Sequence, residues 1–134
     1  MAYIKYKELT GYFNFSKKTP IEELPAFIEQ YLEKDETVLL AYKVIVDQIV
    51  FTNKKIVLFD VKGLFANKRK IHILPYRSMS SIAMEFRKKS ASLFLSMDSG
   101  YQLRFNFVAQ NPEKKKELRI IFTQMAGLIG KNRG

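Results

Sequence analysis

The chain has 134 residues, with 23 Lys and Arg against 13 Asp and Glu, a formal net charge of +10, 47% hydrophobic residues and no cysteine. That length holds one domain with a core large enough to stand without covalent staples. The lack of cysteine excludes disulfides, Cys-ligated zinc, iron–sulfur clusters and thiol catalysis, and fits a reducing compartment.

The start, MAYIKYKELTGYF, carries no apolar stretch behind its lysines and does not read as a secretory signal. Ala2 argues against N-myristoylation, and the Lys-Asn-Arg-Gly end is no prenylation box. Residues 1–18 mix Tyr3, Tyr6, Tyr12, Phe13 and Phe15 with lysines without a firm period, so they read as an arm that must pack on something to stay ordered. Thr19-Pro20-Ile21-Glu22-Glu23 is a helix start: a capping hydroxyl, a proline at the first position and two acids at the positive end of the dipole. Ile21, Leu24, Phe27, Ile28, Tyr31 and Leu32 follow at helical spacing, which predicts an amphipathic helix over 19–34.

From Glu36 the period becomes two. Apolar runs at Val38–Val44, Gln48–Thr52 and Ile56–Val61 predict three strands, and Lys70–Leu74 follows a turn containing Gly63. Ile82, Met84 and Phe86 alternate with Ser81, Ala83 and Glu85, and Arg87-Lys88-Lys89-Ser90 makes the next turn. Ala91, Leu93, Leu95 and Met97 alternate with Ser92, Phe94 and Ser96; after Asp98-Ser99-Gly100, Tyr101, Leu103, Phe105 and Phe107 alternate with Gln102, Arg104 and Asn106. Gly100 suits the left-handed position of that hairpin. The longest apolar region, Val38 to Phe51, is broken by Lys43 and Asp47-Gln48, whereas a membrane-spanning helix needs about 20 predominantly apolar residues. After Asn111-Pro112-Glu113 the period returns to 3.6, with Leu118, Ile121, Phe122, Met125 and Ile129 on one face and Gly130 at the end.

The plan is all-β: seven antiparallel strands over 36–108, a C-terminal α-helix over 112–130 and an extra N-terminal helix, in a single domain spanning 1–134. Two twisted sheets facing each other leave open ends, and one helix with one apolar stripe suits the closing of one of them. This is the pleckstrin-homology barrel architecture.

The residues also resemble a family, the bacterial pleckstrin-homology-like domains. The resemblance is carried by Val46-Asp47, the run Ile49-Val50-Phe51-Thr52-Asn53-Lys54-Lys55-Ile56-Val57-Leu58, Gly63, and Leu74-Pro75-Tyr76-Arg77-Ser78-Met79. It covers about residues 36 to 107. Val46 stands where the family has an arginine and Lys55 where it has a second basic residue, so bidentate arginine contacts are not expected at either. Met79 takes the place of the usual isoleucine, and Glu85 falls where the family tends to carry a glutamate. The resemblance implies a barrel without enzymatic activity, a tendency towards homo-oligomers, and no single role common to the family.

Residue supply agrees with a non-enzyme. The one histidine, His72, sits between Ile71 and Ile73 and reads as a half-exposed strand residue. No His pair, HExxH or phosphate-cradling glycine loop is present, so no metal or cofactor is expected. The basic clusters Lys54-Lys55, Lys62, Lys68-Arg69-Lys70, Arg87-Lys88-Lys89 and Lys114-Lys115-Lys116 fall at turns or helix surfaces. Such runs are solvated tips that also block edge pairing, but together they would concentrate anionic partners. Lys54, Lys55, Lys62, Lys68, Arg69, Lys70, Arg87, Lys88 and Lys89 are therefore the candidate anion or partner surface. Eukaryotic relatives grip phosphoinositides with basic residues on the first hairpin, but here it offers Lys43 followed by Val44-Ile45-Val46, so no such cradle is expected.

Tyr12, Phe13, Phe15 and the outward Phe94 are the candidate interface residues, suited to a subunit contact or to a covering arm. The leading expectation is a cytoplasmic, non-catalytic binding or assembly module, homo-oligomeric and contacting protein partners. The alternative is a peripheral adaptor held to anionic membrane surfaces by nonspecific electrostatics. A nucleic-acid-binding module ranks third, because the sheet aromatics Tyr101, Phe105 and Phe107 share a face with Leu103 and read as core.

Overall fold

The computed structural model describes residues 11–45, 47–62 and 68–130, without the side chains of Val61, Lys62 and Lys68. Val46, Gly63 and most of the arm therefore lie outside the described residues. The strands are β1 (Gly11–Phe15), β2 (Lys17–Lys18), β3 (Val38–Val44), β4 (Asp47–Thr52), β5 (Lys55–Lys62), β6 (Lys68–Pro75), β7 (Met79–Phe86), β8 (Ala91–Met97) and β9 (Gln102–Phe107). Helix α1 spans Pro112–Leu128. All seven strands expected from the alternation are present.

The strands form two sheets. Sheet A has the order β1-β9-β8-β7 and sheet B the order β2-β3-β4-β5-β6. Their facing sides make the main core, where Tyr42, Phe51 and Leu58 of sheet B meet Phe15, Leu93, Leu95, Phe105 and Phe107 of sheet A. The sheets do not close into a barrel. β6 and β7 are linked through a short 3₁₀ turn, Tyr76–Ser78, and no ladder joins them. At the opposite seam the chain passes from β1 to β2, with the Ser16 N–H donating to Lys43 O at 3.1 Å.

Part of the expected arm is strand. β1 pairs in parallel with β9, Gly11 opposite Leu103 through Phe15 opposite Phe107, and β2 pairs with β3. Phe13 stacks on Phe105 at 5.7 Å and Phe15 on Phe107 at 5.9 Å. Alternating aromatics thus extend sheet A by one strand and remove Phe15, which is fully buried, from the candidate interface.

The expected helix over 19–34 does not form. Two 3₁₀ helices take its place, Ile21–Glu23 and Ala26–Tyr31. Proline explains the break: Pro25 pushes the preceding residue out of the helical region, and Leu24 sits at φ −68°, ψ 142°. The hydrophobic face survives the change. Leu24, Phe27, Ile28, Tyr31 and Leu32 form a strap packed on the outer face of sheet B, against Ala41, Val50, Val57 and Phe59. Phe27 and Tyr31 meet the Phe59 ring edge-on at 5.3 and 5.6 Å. Sheet B is thereby covered on both sides, which accounts for the unbroken apolar runs Ile49-Val50-Phe51 and Ile56-Val57-Leu58-Phe59.

The same double cover reverses the expectation for His72. Ile71 packs into the strap cluster and Ile73 is exposed, both outward. His72 turns inward, its side chain 9% exposed, between the Phe13 and Tyr101 rings at 6.2 Å each.

Helix α1 seats Leu118, Ile121 and Met125 in the main core, with Phe122 partly buried against it. Its start is capped by Asn111, whose Oδ1 accepts from the Lys114 N–H at 2.8 Å. Gly100 adopts φ +95° in the β8–β9 turn, a conformation costly for any side-chain-bearing residue. Because Leu118 is fully enclosed, Leu118→Ala should cost about 2–5 kcal/mol of stability. Urea denaturation followed by circular dichroism measures this, and a loss well under 1 kcal/mol would mean that the helix is not a core element.

Candidate functional site

The turn Thr52-Asn53-Lys54-Lys55 joins β4 to β5 and is a dense polar knot. Thr52 Oγ1 accepts from the Lys54 and Lys55 backbone N–H groups at 3.0 Å each, and its hydroxyl donates to Glu36 Oε2. Glu36 Oε1 lies 2.9 Å from Lys55 Nζ and also accepts from the Glu33 N–H at 2.9 Å. Tyr76 Oη donates to Thr52 O at 2.7 Å. Asn53 bonds twice to Thr37: the Thr37 N–H donates to Asn53 Oδ1 at 2.8 Å, and the Asn53 N–H to Thr37 O at 3.1 Å. Burial raises the Glu36 carboxyl, but the Thr52 hydroxyl, the Glu33 amide and Lys55 outweigh it and hold the group below its ordinary 4.5. Burial, reinforced by the Glu36 charge, pushes the Tyr76 phenol far above its usual range.

This geometry redistributes the nine basic candidates. Lys55 is 9% exposed and committed to Glu36, so it is not part of an anion-binding surface. Lys54 bridges Asp35 at 2.8 Å and Glu33 at 3.1 Å. Arg69 lies over the Phe27 ring at 4.9 Å, a contact that anchors the strap. Arg87 reaches Glu85 at 3.4 Å. Lys70, Lys88 and Lys89 are exposed, and the side chains of Lys62 and Lys68 lie outside the described atoms. The basic surface is thus dispersed over several turns and does not converge on one pocket.

The four aromatic candidates also separate. Phe15 and Phe13 face inward. Tyr12, 52% exposed, and half-buried Phe94 occupy the outer face of sheet A, where both flank Arg104. Among the described residues neither strap nor helix packs there, in contrast to sheet B. Arg104 escaped the residue-type reading because it is a lone charge in an alternating strand. Its pairing with Phe94 is implied once the β8–β9 hairpin is registered around Gly100.

Two concavities flank α1. One of about 550 Å³ is lined by Lys18, Ile21, Leu39, Glu117, Ile120 and Ile121, with Lys18 and Glu117 paired across it at 2.7 Å. A neighbour of about 330 Å³ reaches Thr52, Tyr76 and Leu128. Among the described residues no group of three or more His, Asp or Glu could hold a metal ion, and no helix is long and apolar enough to cross a membrane.

Comparison with known proteins gives a consistent set of similarities. Residues 9–117 match the family described as "Bacterial PH domain". The uncharacterized Bacillus subtilis protein YozO is 33% identical over 99 residues, covering 71% of this chain and 82% of that protein. A crystal structure of a DUF1696 family protein with a pleckstrin-homology domain from Shewanella loihica superposes with a TM-score of 0.66 at 25% identity, covering 84% of this chain and 95% of the other. A PH domain-containing protein from Exiguobacterium sibiricum shares the fold, with a TM-score of 0.64 at 15% identity over 86% of this chain and 62% of its own.

The knot makes stability acid-sensitive in a defined direction. Glu36 has a depressed folded-state value, so its contribution is complete above about pH 4.5 and is lost as pH falls through that lower value. Glu36→Gln should lower stability by about 3–5 kcal/mol at neutral pH, because it leaves Lys55 buried without its counter-charge. It should also flatten the acid limb of the stability profile. Urea midpoints taken between about pH 7 and about pH 3 test both effects, and parallel profiles for the two proteins would exclude the role given to Glu36.

Proposed function

The chain belongs to the bacterial PH domain family, and from that premise we propose that it works as a non-catalytic binding and assembly module, joining further copies of itself and protein partners. The observation that carries this reading is the contrast between two of the sheet edges, β6 and β7. β6 pairs only with β5, but it is guarded by Arg69, Lys70 and Pro75, residues that discourage strand addition. β7 pairs only with β8, and among the described strands none lies on its other side. Its exposed residues Ser80, Ser81, Ala83, Glu85 and Phe86 include one charge and no proline. An eight-residue edge of this kind is suited to receiving a strand from another molecule. The side-chain chemistry agrees with a role without catalysis. Burial pushes up the phenols of Tyr42 and Tyr76, so neither is set to exchange protons near neutral pH.

Light scattering at tens of micromolar should find a species larger than the 15.7 kDa monomer. Ala83→Lys, at an exposed edge position, should shift that species to monomer without loss of secondary structure. A monomeric wild-type protein at that concentration would remove the assembly reading.

A second reading, peripheral attachment to anionic membranes, draws on the β3–β4 turn. Ile45 is 91% exposed and adopts φ +50°, a strained conformation for a β-branched residue, costing about 1–3 kcal/mol. Lys17 and Lys43 lie opposite each other just behind it. An apolar tip backed by lysines suits a bilayer surface, where each basic residue adds about 1 kcal/mol. The protein should sediment with phosphatidylserine vesicles at low salt and less at moderate salt, and Ile45→Asp should reduce the bound fraction several-fold. Absence of pelleting at both salt levels would end this reading.

A further inference from the structure

Three side chains form one cross-strand row on the outer face of sheet A. The register sets Tyr12 of β1 opposite Arg104 of β9, and Arg104 opposite Phe94 of β8. The Arg104 guanidinium carbon lies 5.4 Å from the Tyr12 ring centroid and 5.1 Å from that of Phe94. Its Nε donates to Asn106 Oδ1 at 3.0 Å. Asn106 is itself fixed: Ser92 Oγ donates to its Oδ1 at 2.5 Å, and its Nδ2 donates to Asn14 Oδ1 at 3.0 Å. Ser92 and Asn106 are each 7% exposed, so Arg104 is tied to a buried polar pair in the adjoining row, while Tyr12 is 52% exposed and Arg104 and Phe94 are half-buried.

A guanidinium carries five N–H donors. With Nε bonded to Asn106 and a ring near the guanidinium carbon on each neighbouring strand, the two Nη groups remain as a fork. Among the described residues no carboxylate pairs with Arg104. The acid on this face, Glu85, pairs with Arg87. The adjoining rows are otherwise neutral: Gln102, Ser96 and Ser81 on one side, Asn14, Asn106 and Ser92 on the other.

We propose that Arg104 is a carboxylate-binding site, which takes an acidic side chain of a protein partner between Tyr12 and Phe94. The planar fork matches a carboxylate in two parallel hydrogen bonds. Stacking and the Asn106 bond already restrict the arginine, so little side-chain freedom is lost on binding. The rings offer apolar contact to the residues beside the acid. A net charge of +10 draws acidic partners towards the molecule. A nucleic-acid strand would present a charge at every nucleotide and calls for a track of cations; among the described residues the row supplies one, Arg104. The site rests on the reading of the chain as a protein-binding module, but neither on self-association nor on the β7 edge.

The test uses a capped hexaglutamate peptide as probe, hexaglutamine as control and a thymidylate ten-mer as competitor class, followed by ¹⁵N NMR of the Arg104 Nε–H and the β8 and β9 amides. Hexaglutamate should shift these signals saturably and hexaglutamine should not. Arg104→Gln should weaken binding about tenfold or more, and Arg104→Lys several-fold, because lysine lacks the fork. Tyr12→Ser alters an exposed ring outside the core and should also weaken binding several-fold, which keeps the test intact if the arginine variants unfold. Shifts confined to Lys88, Lys89 and Lys114–Lys116, unchanged affinity in Arg104→Gln or Tyr12→Ser, or tighter binding of the thymidylate at this face would each overturn the proposal. A monomeric protein that still binds hexaglutamate through Arg104 would sink the assembly reading alone.

Discussion

The contact between Glu36 and the Thr52–Lys55 turn ties together segments that are otherwise distant in the chain. Glu36 ends the strap, Thr52 ends β4, Lys55 begins β5 and Tyr76 follows β6. Four elements therefore share one shielded set of hydrogen bonds, in which the carboxylate satisfies the Glu33 N–H, the Thr52 hydroxyl and the Lys55 ammonium. A charge pair in such a place is a weak source of net stability, but it is intolerant of losing either member. Its consequence is positional: it fixes the strap over sheet B and holds the exit of β6, where the chain crosses to sheet A.

That constraint makes the two sheets chemically unlike. Sheet B, covered outside by Phe27, Ile28 and Tyr31 and inside by the main core, can use almost any apolar residue at either parity. Among the described residues, sheet A packs apolar side chains on one face. Many of its outer positions are small and polar, as in Ser81, Ser92, Ser96 and Asn106, while Tyr12, Glu85, Phe94, Gln102 and Arg104 are larger. Recognition chemistry is best placed on a flat face that the fold itself does not occupy, supported by a rigid and well-bonded layer.

The residues that carry the family resemblance turn out to be mainly architectural. Phe51-Thr52-Asn53-Lys54-Lys55 and Pro75-Tyr76 build the knot, with Lys54 and Lys55 engaged by Asp35, Glu33 and Glu36. A basic turn in a basic chain invites a ligand, yet here the acids that neutralise it come from the preceding strap. Only the three-dimensional pairing reveals this, because the partners are separated in sequence by up to 21 residues.

Strand alternation and helical spacing were enough, from the residues alone, to determine seven strands, the C-terminal helix and the left-handed Gly100, because each depends on local periodicity or on one residue's backbone freedom. Tertiary structure decided the rest. It turned 19–34 into a broken strap, since Pro25 forbids the helix while the surface of sheet B still claims the apolar face. It drew Phe13 and Phe15 into a parallel edge strand, and it turned His72 inward because covering both sides of sheet B removes the usual link between polarity and outward facing. It also brought Tyr12, Arg104 and Phe94 into one row, since cross-strand register is a long-range property: the residues that meet there come from β1, β8 and β9.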